Sequence, residues 1–180
     1  MPIKGRELQT VSIKEFIPED RVSDKDALLS AFMEIWNAPD NLKYLSLTLN
    51  PFEPEIVNYW LENHKEQGGR YFCALNNHDE ILGILVVKVN SVTGFEVFGV
   101  GVLPELKRQG VGRELLNYAV GVAEKIGFKD INALVFADNA VMLRLLLSLG
   151  FIPTGMEYHK RSDGADAVRL KKYFQYLSSK

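Results

Sequence analysis

The chain has 180 residues, 47% of them hydrophobic and 24% charged, with a formal net charge of −2. That is enough chain for a single domain (1–180) with a substantial core, and the charge gives no reason to expect nucleic acid or an anionic membrane as partner. The single cysteine, Cys73, excludes an internal disulfide; it lies in the apolar run YFCAL and reads as a core thiol in a reducing compartment.

Met1 to Thr10 lacks a signal-peptide core, and no apolar stretch approaches the roughly 20 residues that cross a bilayer. Cytoplasmic residence is the expectation. Val11 to Phe16 alternates and predicts a first strand, closed by Pro18. Ser23 or Asp24 suits the cap of a helix running to about Trp36, with Ala27, Leu28, Ala31, Phe32 and Ile35 as its apolar face. Asn37 to Pro51 reads as a loop. A second helix starts near Pro54, since proline suits a first turn, and fades at Gly68-Gly69. Three strands follow, Tyr71 to Leu75, Ile81 to Val89 and Phe95 to Val102. The polar turns NNHDE and Asn90 to Gly94 between them imply an antiparallel meander.

Pro104 stops the third strand, because proline has no N–H for a ladder. Gly110 then opens a helix whose apolar face is Val111, Leu115, Ala119, Val122 and Ile126, with Gly127 past its end. Ile131 to Ala137 is a further strand. Asp138 or Asn139 caps a helix ending at Leu149. Phe151 to Lys160 and Val168 to Phe174 are the last two strands, joined through Ser162-Asp163-Gly164. The strand, helix, strand unit around Gly110 requires parallel pairing of the third strand with Ile131 to Ala137.

The stretch VFGVGVLPELKRQGVGRELL, Val97 to Leu116, organises the rest. A helix N-terminus has unpartnered N–H groups and a partial positive charge. Gly110 and Gly112 have no Cβ, so a phosphate can approach the backbone there. Lys107, Arg108 and Arg113 add formal charge. The chain has no GxxxxGK[ST] run, which excludes a Walker loop. Read as a dinucleotide fingerprint, the run has Leu115 where the third glycine belongs, and a proline and loop separate it from its strand. A glycine-rich helix start that binds nothing is the plain alternative.

Val102-Leu103-Pro104 followed by KRQGVG resembles the acyl-CoA loop of the GNAT acetyltransferase superfamily, with Lys107 at the usual Arg or Gln position. NAVMLRLLLSLGF, Asn139 to Phe151, resembles a second motif of the same family, and the element order matches along nearly the whole chain. The resemblance implies a mixed, mostly antiparallel sheet of about seven strands flanked by four helices. Its central parallel pair splays to admit the donor. It implies acetyl-CoA as cosubstrate, with Val100, Val102, Lys107, Arg108, Gln109, Gly110, Val111, Gly112, Arg113 and Asn139 as contacts. The acceptor is then a primary amine of a small molecule or protein, and family habit makes a homodimer plausible.

Members with the usual pattern carry a tyrosine acid where this chain has Leu146. Tyr118, Tyr158 and Ser148 are possible substitutes, Tyr158 being the catalytic candidate. A thioester carbonyl under attack needs a donor for its oxygen, worth about 2.7–4 kcal/mol; by resemblance this is a backbone amide near Val102. An amine with pKa near 10.4 must lose a proton, and Glu96, among apolar neighbours on the third strand, is the candidate base. An outward-facing surface glutamate is the competing reading. His64, His78 and His159 read as surface residues without ligand spacing, so no metal is expected. A silent acyl-CoA sensor and a nucleotide-binding domain are the alternative functions. Trp36, Tyr44, Phe52, Trp60 and Tyr158 lie in segments that build the family's acceptor site, but aromatics at helical spacing read first as core.

Overall fold

The computed structural model describes residues 11–18 and 22–174; Met1 to Thr10 lies outside them. Seven strands form one sheet: β1 (Ser12–Phe16), β2 (Gly69–Leu75), β3 (Ile81–Asn90), β4 (Gly94–Val102), β5 (Asp130–Phe136), β6 (Ile152–Glu157) and β7 (Ala167–Tyr173). Their order is β1-β2-β3-β4-β5-β7-β6. Short polar turns pair β2, β3 and β4 antiparallel, as the sequence predicts. β7 inserts between β5 and β6, antiparallel to both.

The helices are α1 (Val22–Ala31), α2 (Pro39–Leu45), α3 (Pro54–Glu62), α4 (Val111–Ile126) and α5 (Ala140–Ser148). α4 packs on β2, β3 and β4 from one side, while α1 meets β3. β3 is therefore covered on both faces, which explains its continuous apolar run. Leu28, Phe32, Phe72, Leu85, Leu115 and Ile131 are buried in the core between these layers. No helix of the described residues is long and apolar enough to cross a membrane.

Two expectations need correction. The first helix is not uniform: after α1, Phe32–Trp36 winds as a π turn. Within it the Phe32 and Trp36 rings meet edge to face, centroids 4.8 Å apart. Ser23 and Asp24 lie inside α1, and Ala27 is exposed rather than on the packed face. Secondly, Asn37 to Pro51 is not all loop. Pro39 starts the seven-residue helix α2, making five α-helices among the described residues rather than four. Its apolar content is too thin to show a helical period; Asn41 docks it instead.

β4 pairs with β5 in parallel through Phe95↔Ile131, Glu96↔Asn132 and Val97↔Ala133 and no further. The crossover through α4 dictates parallel pairing. The early end of the ladder follows from a bulge. Val86 of β3 faces Gly99 and Val87 faces Val97, so Phe98 is an extra residue in β4. A bulge bends and twists its strand, and from Phe98 onward β4 leaves β5.

Candidate functional site

Beyond the bulge β4 has lost its partner on one side. Leu103 N donates to Leu82 O at 2.9 Å, so Leu103 and Gly101 turn their peptide groups toward β3. Strand alternation then turns those of Val100 and Val102 the other way, into the gap left by β5. The Val102 carbonyl is taken by Asn41 Nδ2 at 2.9 Å, and the same amide donates to Ile35 O at 2.7 Å. With that carbonyl occupied, the wall at Val102 offers its N–H. The gap is a cavity of about 740 Å³, the size of a small-molecule site. Its apolar depth is formed by Val97, Leu116, Leu134, Val135 and Leu146.

One end of the cavity is the start of α4. Gly110 caps this helix with φ 90° and contributes no side-chain hydrogen bond, so the first-turn amides stay open. A Cβ at Gly110 would meet nothing within 4 Å; its glycine answers to the positive φ. Arg108 is also left-handed, at φ 64°. Lys107, Arg108 and Arg113 all line the opening. Burial lowers the Lys107 pKa from the ordinary lysine value, with Asp40 acting in the opposite sense. Arg113 Nη2 donates to Ser148 Oγ at 2.9 Å, tying the start of α4 to the end of α5. Ser148 is thus engaged at the helix junction.

Behind the lining residues Lys43 and Asp138 lies a buried arginine. Arg161, 3% exposed, donates to Lys43 O at 2.9 Å, to both oxygens of Asp138 and to both of Asp163. Ser162 N donates to Leu47 O at 2.8 Å. These bonds bind the β6–β7 connection to the C-terminal end of α2 and to the β5–α5 turn. Lys43 Nζ joins Asp138 at 3.1 Å. Hydrogen bonding from Arg161, then from Lys43, holds the Asp138 pKa below the usual carboxylate value.

Most of the residues expected to contact the donor come together on this cavity: Val100, Val102, Lys107, Arg108, Gly110, Val111, Gly112, Arg113 and Asn139 line it. Gln109 does not; its amide donates to Glu105 O at 3.0 Å. Asn139 caps α5, accepting from Met142 N at 3.1 Å. The catalytic candidates divide. Val102 is in the wall. Glu96 is half-buried on the closed stretch of β4, opposite Asn132 and Lys88, and is not among the lining residues. Tyr158 is 72% exposed and outside the lining. Tyr118 packs its ring on Phe72 at 5.1 Å. Leu146 is buried in the wall.

His64 corrects the expectation of a surface residue. It is buried, its Nδ1 is 3.0 Å from Leu61 O, and its own carbonyl accepts from Gly69 N. The turn from α3 into β2 folds it inward; His78 and His159 are exposed. Among the described residues no cluster of His, Cys, Asp or Glu could hold a metal. Six residues of α2 line the cavity, Asn41 and Tyr44 among them, and sequence reasoning gave none of them a site role.

The family model described as the acetyltransferase (GNAT) family matches residues 28–151. The chain belongs to this family. It is 35% identical over 105 residues to the [ribosomal protein bS18]-alanine N-acetyltransferase of Escherichia coli strain K12, covering 56% of this chain and 69% of that protein. In structure it is similar to the ribosomal-protein-S18-alanine N-acetyltransferase from Escherichia coli, with a TM-score of 0.70, 21% identity, and 94% and 97% of the two chains covered. It is also similar to a GNAT phosphinothricin acetyltransferase from Sinorhizobium meliloti solved with AcCoA, with a TM-score of 0.73, 17% identity, and 96% and 92% covered. At these identities the two structures speak for the shared fold. Membership makes the chain an acetyl-CoA-dependent N-acetyltransferase acting on amines.

Proposed function

We propose that the acetyl group passes directly from acetyl-CoA to a primary amine while both substrates are bound. The observation that carries this reading is the divergence of β4 from β5, beside a helix start ringed by cations. Together they suit a diphosphate joined to a long thioester arm. The pyrophosphate rests on the Gly110 to Gly112 amides with Lys107, Arg108 and Arg113 around it. The pantetheine arm runs along Val100 and Val102, with Asn139 opposite. The Val102 N–H then supports the carbonyl oxygen as it gains charge, a contribution of about 2.7–4 kcal/mol. Holding amine and thioester together supplies several kcal/mol more.

Glu96 is proposed as the base. Its place on the closed part of β4 means that it acts through water and not by direct contact. The acceptor class is a primary amine; a peptide beginning with alanine is the first to test, because the E. coli relative is named for such a substrate.

The experiment is a thiol-release assay with acetyl-CoA, an alanine-initiated peptide and a panel of small amines. Cys73 is fully buried and burial pushes its thiol pKa well up, so the colour reports CoA and not the protein. Direct transfer gives initial-rate lines that intersect when both substrates are varied. Parallel lines, the mark of a covalent acetyl-enzyme, would overturn it. Glu96→Gln should lower turnover about 10²-fold or more if Glu96 is the base. An unchanged rate returns Glu96 to the surface.

A further inference from the structure

We infer that Tyr44, on α2, supplies the proton to the departing thiolate. The inference rests on the acetyl-transfer reading above. α2 lies across β4 in a defined register. Its Asn41 holds the Val102 carbonyl, and one turn later Leu45 Cδ2 stands 3.0 Å from where a Cβ of Gly99 would be. Tyr44 follows Asn41 by three residues, so it shares that flank of the helix. This sets it at the level between Val102 and Gly99, where β4 has left β5. It is half-buried and lines the cavity.

Tyr44 is the one phenol among the described lining residues. The wall that would carry the family's acid has Leu146, which has no proton to give. Lys43, the neighbouring cation, bonds Asp138 at 3.1 Å and also sits over the Tyr44 ring, 5.1 Å from its centre, where it interacts with the phenol oxygen. Asp40, Lys107, Arg108 and Arg113 are the other charged residues lining the cavity. With Lys43 beside it, the Tyr44 oxygen accepts and the phenol hydrogen is left to donate toward the cavity.

The step balances as follows. The amine nitrogen bonds to the carbonyl carbon and the π pair moves to oxygen. On collapse the C–S bond breaks, sulfur keeps the pair and takes the Tyr44 phenol proton. The phenolate recovers a proton, through water, from the nitrogen that has just become an amide.

The test needs no knowledge of the acceptor. CoA is bound to the wild-type chain and to Tyr44→Phe, and the thiolate absorbance is titrated. A phenol donating to sulfur stabilises the thiolate, so the bound thiol should titrate about one to two pH units lower in the wild type than in the variant. Matching titrations would overturn the proposal, as would a shift that follows Lys43→Met and not Tyr44→Phe. Failure of CoA to bind the wild type would overturn the acetyl-transfer reading itself. Turnover gives a second readout. With an alkyl acetyl thioester Tyr44→Phe should lose about 10²-fold. With an aryl thioester, whose thiolate leaves without a proton, the loss should shrink toward none. Equal losses with both donors would reduce Tyr44 to a structural part.

Discussion

Gly99 and Gly101 sit inside a strand, where glycine ordinarily weakens pairing. Their reason is Trp36. A Cβ on Gly99 would lie 2.8 Å from Trp36 Cη2, and one on Gly101 3.0 Å from its Cδ1. The indole lies flat on β4, with Phe52 and Trp60 at its edges. Its Nε1 has no hydrogen-bond partner among the described residues, so the ring is held by contact area alone. Gly99→Ala should destabilise the fold by about 1–3 kcal/mol, the usual range for overpacking, measured by urea denaturation. Sequence reasoning sees two glycines interrupting a strand; the tryptophan 63 positions before the first of them meets it only in the folded chain. The same holds for Phe98. Nothing in VFGVG marks which residue is the bulge, because that depends on the register with β3.

At the scale of elements, the helix starts divide the labour. α5 is capped by its own Asn139, and Asn139→Ala should cost about 1 kcal/mol. α4 has a glycine cap with no side chain, leaving its amides for a ligand. Lys107→Ala with Arg113→Ala should weaken CoA by about a hundredfold or more at low salt, since each charge-assisted bond is worth about 1.5–3 kcal/mol and two are lost. Pantetheine, which has no phosphates, should bind the variant and wild type alike in calorimetry. The anion loop, the meander and the parallel crossover were all legible, because glycine spacing, turn residues and hydrophobic period are local signals. α2 was not. Its seven residues show no apolar stripe, and what seats it is polar and distant in sequence: the Asn41 amide between Ile35 O and Val102 O, and Arg161 on the Lys43 carbonyl. Asn41→Ala strands both carbonyls, at about 1–3 kcal/mol for each.

Across the whole molecule, charge at Arg161 joins parts far apart in the chain. Its bonds to Asp163 and Asp138 keep both carboxyl pKa values depressed. A depressed carboxylate adds stability that is fully present above its unfolded pKa, near 3.9, and lost as pH falls through the lower folded value. Acid unfolding should therefore steepen below about pH 4, and Asp138→Asn should flatten that slope. If the slopes coincide, the cluster adds nothing to acid stability.

The ladder between β4 and β5 ends after Val97↔Ala133. Mechanically the protein is a book with a very short spine. One cover is β1 to β4, the other β5, β7 and β6, and α4 touches both. A molecule lodged between the pages acts as a clasp. Saturation by CoA at 100 times its dissociation constant should raise the unfolding free energy by about 2.7 kcal/mol. It should also slow amide exchange on Val100 and Val102 of one cover and on residues 134–136 of the other, so that the donor stiffens the enzyme it supplies.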